Sequence, residues 1–333
     1  MAVTLAEAQK NVQDDIQIGV IDEFRKSSWL LDHITFDDVV SPTGGGATLT
    51  YGYTRLKTQP TAGFREINTE YTPSEVTKER HTVDLKVFGG SFQIDRVIAN
   101  MGGIVDEVNL QIEQKAKAVK ALFNDTFING DSATDSKAFD GLEKALTGTS
   151  TEFILPEILD MSSAEQIKKN YVKFMFYLDK FLKKLDGQPS FIGGNTDMIS
   201  VIQLCSKLAG RYQTTKDDWG RQVETYNNIY LLDFGEKPGT NDPVVATNTT
   251  DGTSPLYFGR LGLDGLHGVS ISGQAPVKTW LPDFTTAGAV KTGEAEMVAA
   301  IALKASKAAG KMVNIKIAGT VQKEEHNESD STK

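Results

Sequence analysis

Four histidines and one cysteine are the side chains best suited to metal ligation or nucleophilic chemistry: His33, His81, His267, His326 and Cys205. Two donors reach one ion from a helix or tight turn only when a few residues separate them, as in H-E-x-x-H. None of the histidines has such spacing, and Cys205 has no partner cysteine. They read as packing or surface histidines. Cys205 falls on the apolar face of a helical pattern, where a thiol is buried and inert.

Glycine and carboxylate patterns fare no better. Gly310-Lys311-Met312 lacks the upstream glycine and the following Ser or Thr of a phosphate loop. Gly262, Gly265 and Gly268 lie between strand patterns and read as turn glycines. Gly268 to Gly273 misses the nucleophile-elbow spacing by one residue. Asp131, Asp135 and Asp140 do not follow the order of a calcium loop, so an exposed acidic loop is preferred. The pairs Asp37-Asp38 and Asp217-Asp218 read as solvated loop carboxylates, with nothing apolar beside them to shift a pKa. The expectation is no catalytic residue, no metal site and no cofactor: not an enzyme.

The 333 residues are 39% hydrophobic, enough for a substantial core and more than one domain. No run reaches the ~20 apolar residues of a membrane span, and the start of the chain shows no basic region followed by an apolar one. A lone cysteine rules out a disulfide framework and suits a cytosolic folding compartment. A net charge of −9 argues against a protein that binds nucleic acid by neutralising phosphates.

Several elements could position a surface. Leu5, Val12, Ile16, Val20 and Phe24 recur at loose helical spacing, interrupted by Gly19. This leader either needs a partner surface or docks on its own domain. Residues 41–46 form a Gly-rich joint. Ala47, Leu49, Tyr51 and Tyr53 then alternate with small polar residues, and Val83, Leu85 and Val87 repeat the pattern. The two runs predict a long β-ribbon with an extended polar tip. Such a ribbon is marginal alone and must lie on something. Helices are expected over 104–128, with a stop at Asn129-Gly130, over 164–186, with a capping box at Ser163 and Gln166, and over 196–209. Asn227-Asn228 reads as a hairpin turn, 236–254 as an exposed loop, and 297–304 with 312–317 as a closing hairpin. The tail 322–333 is polar and reads as disordered.

Four stretches in this order resemble the major capsid proteins of tailed double-stranded DNA bacteriophages, whose fold is shared with encapsulins. They are Phe88-Gly-Gly-Ser-Phe-Gln-Ile-Asp-Arg-Val97; Phe123 to Asp131 followed by Phe139-Asp-Gly-Leu142; Ile229-Tyr-Leu-Leu-Asp-Phe234; and Pro255 to Gly268. The resemblance spans nearly the whole chain. It implies an α+β fold with an N-terminal arm (1–46), an extended β-ribbon loop (47–88), a peripheral domain with a long spine helix (89–150 and 275–319), an axial domain (151–274) and a disordered tail (320–333).

The resemblance further implies a virion structural protein. It would self-assemble as pentamers and hexamers into an icosahedral head enclosing double-stranded DNA, in the host cytoplasm. Partners would be other copies of itself, a separate scaffolding protein, a portal protein, packaged DNA held without sequence preference, and optionally a decoration protein, with no membrane. The arm before the ribbon is short for a built-in scaffolding domain. Lys57, Arg65, Glu66, Glu70, Lys78 and Glu79 are the expected inter-subunit contacts. Lys57 sits where some family members carry a cross-linking lysine, although almost any polar ribbon carries one. The alternative is an encapsulin-type shell around a cargo enzyme. An enzyme with a scattered site and a fibre module are the remaining rivals.

Overall fold

The computed structural model describes residues 29–41, 48–100, 107–216, 222–273 and 277–319. The leader, most of the glycine joint, Asp217-Asp218, His326 and the tail lie outside the described residues. In chain order come α1 (Trp29–His33), β1 (Phe36–Val40), β2 (Thr50–Leu56), β3 (Lys78–Asp84), β4 (Lys86–Asp95), α2 (Arg96–Ala99), α3 (Glu107–Asn129) and α4 (Leu142–Leu146). There follow β5 (Glu152–Asp160), α5 (Ala164–Leu182), β6 (Phe191–Gly194), α6 (Thr196–Leu208), β7 (Gln213–Lys216), β8 (Gln222–Tyr226) and β9 (Ile229–Asp233). The last strands are β10 (Thr253–Gly259), β11 (Leu266–Ile271), β12 (Val277–Trp280), β13 (Val290–Leu303) and β14 (Ala309–Lys316).

Among the described residues these strands form three sheets. β13 is the backbone of a five-stranded sheet. β4 pairs antiparallel along one edge, β12 and then β11 along the other, and β1 adds parallel to β11. The 23-residue α3, about 34 Å long, lies across β13 and β4. Its C-terminal half supplies the buried Val119, Phe123, Phe127 and Ile128, and the Phe123 ring meets Phe88 and Phe139 at 6.4 and 5.8 Å. Gly130 stops the helix as expected: its N–H donates to Thr126 O (2.9 Å). A Cβ there would stand 2.2 Å from the carbonyl oxygen of Phe139, so no side chain fits.

The second sheet has seven strands in the order β5-β14-β10-β6-β9-β8-β7. Its core is a separate cluster in which Phe174 and Leu178 of α5 and Ile202 and Cys205 of α6 meet Phe258 and Met312. Ser163 caps α5 by accepting from the Gln166 N–H (3.3 Å), and Asn195 caps α6 by accepting from Met198 N (2.9 Å). β8 and β9 join through Asn227 and Asn228 at φ 51° and 62°. Both residues therefore take the left-handed backbone of a tight two-residue hairpin.

Four sequence expectations change. α5 ends at Leu182 rather than 186, because the next turn leaves the helix and Asp186 N–H bonds Lys307 O. The loop before β10 is not wholly exposed: Val244 and Val245 are buried, and Asn129 Nδ2 holds the Val244 carbonyl. The second ribbon strand is really two, because the chain changes partner at buried Leu85, from β2 before it to β13 after it. The closing hairpin does not form. β13 belongs to the five-stranded sheet, and β14 crosses to the seven-stranded one, between β5 and β10.

Candidate subunit interface

The two-stranded sheet β2–β3 is the ribbon, paired from Thr50↔Asp84 to Leu56↔Lys78. Seven residues at about 3.3 Å each carry it some 23 Å outward. Alternation along β2 sends Tyr51, Tyr53 and Arg55 toward the body and Gly52, Thr54 and Leu56 toward solvent. The inward residues clamp the ribbon root to the end of β13. Tyr53 OH donates to Leu303 O (2.9 Å), and Arg55 donates to Leu303 O and Lys304 O (2.6 and 2.9 Å). Tyr51 OH donates to Asp37 Oδ2 (2.7 Å), with Lys304 Nζ 3.6 Å from the same oxygen. Burial first, then the Asp37 carboxylate that accepts its proton, pushes the Tyr51 hydroxyl well above the ordinary phenol range.

Beneath this clamp His267 is fully buried, its Nε2 3.9 Å from Asp37 Oδ2. Desolvation, then the nearby Lys304 charge, lowers its pKa against the opposing pull of Asp37. The Asp37 pair read from sequence as solvated is therefore half correct. Both lie on β1; Asp38 is exposed, whereas Asp37 is only 14% exposed and holds the ribbon root. Neither β1 nor the anchoring role of Arg55 has a local sequence signal, since both depend on strands more than 200 residues away.

Beyond Leu56 the chain makes an exposed tip, residues 57–77, tied across its base by Lys57 N–H to Thr77 O (2.8 Å) and by mutual hydrogen bonds of Thr61 with Ser74. Phe64 is fully exposed, Ile67 89% and Tyr71 62% exposed. Large apolar side chains grouped on one projecting loop have no hydrophobic driving force to stand there in an isolated protomer.

The six expected contact residues all lie on this ribbon. Lys57 and Glu79 face each other at 3.8 Å across its base. Arg65 folds back, donating to Glu66 O and Thr69 O and lying 5.3 Å over the Tyr71 ring. Glu66, Glu70 and Lys78 are exposed.

The other chemistry-bearing residues serve packing. His33 stacks on Trp29 and His81 on Tyr53. Cys205 is fully buried, and desolvation pushes its thiol up to about 12. Asp131 and Asp140 share Lys144 at 2.7 and 2.8 Å, which first among several hydrogen bonds holds Asp131 down to about 2. Lys311 is buried between Glu143 (2.7 Å) and Glu152 (3.1 Å), with Thr147 Oγ1 accepting a third bond. Tyr257 OH donates to the other oxygen of Glu143 (2.6 Å). This network ties α4 to the seven-stranded sheet. Among the described residues no three His, Cys, Asp or Glu converge as metal ligands, and no helix is long and apolar enough to cross a membrane.

No family model matches the chain, and no curated protein matches it in sequence. Solved structures match over nearly its full length. The holo-SrpI encapsulin complex from Synechococcus elongatus PCC 7942 is 12% identical with a TM-score of 0.66, covering 97% of this chain and 99% of that one. The structure of Mycobacterium phage Bobi gives 13% and 0.61, covering 94% and 99%. The capsid of a native GTA particle gives 12% and 0.60, covering 96% and 99%. With its spine helix, projecting ribbon and two sheet-centred units, the chain has the α+β fold that phage capsid and encapsulin shell proteins share.

Proposed function

We propose that this chain is a structural shell subunit, the major capsid protein of a tailed bacteriophage. It assembles as pentamers and hexamers into an icosahedral head around double-stranded DNA. The observation that carries this reading is the ribbon. Its root is clamped to the body by Tyr51, Tyr53 and Arg55, while its tip presents Phe64, Ile67 and Tyr71 to solvent. A projection anchored at one end and apolar at the other gains its missing burial on a neighbouring copy, so ordering and assembly become one event. Lys57, Arg65, Glu66, Glu70, Lys78 and Glu79 flank that contact. The two sheets correspond to peripheral and axial domains close to 89–150 with 275–319 and to 151–274. Sheet membership supports placing β11 with the peripheral unit and β14 with the axial one. A separate scaffolding protein and a portal protein, with a decoration protein as an optional addition, are the partners this role brings, in the host cytoplasm during assembly.

The second reading is an encapsulin-type compartment, favoured by the full-length match to an encapsulin. Both readings require a shell and differ in its contents. Replacing residues 60–76 with a short Gly-Ser turn tests what they share. The expected product is a folded protomer that no longer assembles, and normal particles from this variant would overturn the shell role of the ribbon. Nuclease-protected DNA inside wild-type particles made in the native setting supports the phage reading, whereas a co-purifying enzyme supports the compartment.

A further inference from the structure

We infer that the ribbon tip of one copy docks on the solvent face of α5 of the next copy. This deepens the shell reading and rests on it. Along α5 the exposed positions Lys169, Val172, Lys173, Phe176 and Lys180 recur at three- and four-residue steps and so form one stripe. Val172 is 64% and Phe176 60% exposed. The Phe176 ring continues into Tyr177 (5.8 Å), and Tyr177 into Phe153 of β5 (6.1 Å). Lysines lie over both ends of this ladder: Lys180 Nζ is 6.0 Å from the Phe176 centroid, and Lys184 Nζ is 5.1 Å from that of Phe153. Within the stripe Lys173 pairs with Glu157 of β5.

An apolar strip rimmed by cations, on a chain of net charge −9, fits an occupant that is apolar and acidic. The ribbon tip has that composition. Phe64, Ile67 and Tyr71 are interleaved with Glu66, Glu70 and Glu75; of its two cations, Arg65 is folded back on Tyr71 and its own backbone, and Lys57 sits at the base beside Glu79. The 23 Å of paired ribbon plus the tip gives a reach well beyond the protomer's own root. Two different patches meeting head to tail form the kind of contact that closes into rings. Burying the apolar groups drives the docking, and the glutamate–lysine rims fix its register.

The test is a pair of cysteine substitutions, Phe64→Cys with Phe176→Cys, in the full chain under conditions where wild type forms particles. Cys205 is fully buried and does not compete. A control pairs Phe64→Cys with Val97→Cys, which is similarly exposed (64%) but sits on α2, beside the far end of the five-stranded sheet. Oxidation is expected to give a reducible ladder of covalent multimers from the 64/176 pair, and none from the control or from either single variant. A charge readout accompanies it: Lys169→Glu with Lys180→Glu should lower particle yield at least tenfold, and Glu66→Lys with Glu70→Lys should restore it. A ladder from the control pair alone, or particles without a 64/176 ladder, would overturn the docking site and leave the shell reading standing. If wild type itself never assembles, the shell reading fails first and this inference falls with it.

Discussion

Lys311 and Lys57 both face glutamates, in very different surroundings. Lys311 is 4% exposed, 2.7 Å from Glu143 and 3.1 Å from Glu152, at the join of α4 and the seven-stranded sheet. Lys57 is 64% exposed and 3.8 Å from Glu79, at the base of the ribbon tip. Around Lys311 every polar group is matched within the protomer, and Tyr257 and Thr147 complete the set. Around the tip charges stand in water and apolar rings stand beside them. Charge at the first place holds one chain together. At the second it is open to solvent.

Four measurements break or sharpen this contrast. Phe127→Ala, on the buried face of the spine helix, should cost about 3–5 kcal/mol in chemical denaturation of the protomer. Lys311→Ala should cost about 3 kcal/mol, because it strands Glu152 and Glu143 without their cation. Lys311→Met, which keeps the volume, should leave the same two carboxylates unpaired and recover little. A Lys311→Ala loss below about 0.5 kcal/mol would mean that this network contributes no more than a surface pair.

The ribbon root should respond to acid. His267 has a folded pKa below its unfolded value, so the stability it contributes is present above about 6.5 and is lost as pH falls. The protection factors of the Tyr53 and Arg55 amides, exchange rates divided by the intrinsic base-catalysed rate at each pH, should therefore fall as the solution is acidified from about pH 7 to 5, and His267→Gln should flatten that dependence. The smallest effect belongs to Lys57→Ala. Protomer stability should change by less than about 0.5 kcal/mol, with any larger consequence confined to particle yield.

Much of each sheet was legible because it rests on local chemistry. Alternation at Tyr51 and Tyr53, the cap at Ser163, the Asn227-Asn228 turn and the stop at Gly130 are each set within a few residues. The missed features are set by distant ones. β1 has the sequence Phe-Asp-Asp-Val-Val and becomes a strand only because Gly268 leaves room for Phe36: a Cβ at Gly268 would lie 2.5 Å from the ring. The first half of β13 reads as small and charged, and it is a strand because β4 and β12 flank it on both edges. β14 looks like the return arm of a hairpin, but Met312 and Ile315 pack into the core of the other sheet. The six residues proposed as contacts were chosen on the ribbon because polar residues mark it. The basic stripe on α5 was read from sequence only as a helix with an apolar face, since which face stays uncovered depends on the sheet beneath it.

Sedimentation velocity of the purified full chain, alone and with its neighbouring genes expressed beside it, with electron microscopy of any fast fraction, addresses the shell role most directly. Rings of five and six copies or hollow megadalton particles are the expected result, and both should vanish when residues 60–76 are replaced. A stable monomer or dimer under every condition would contradict the ribbon's role in assembly.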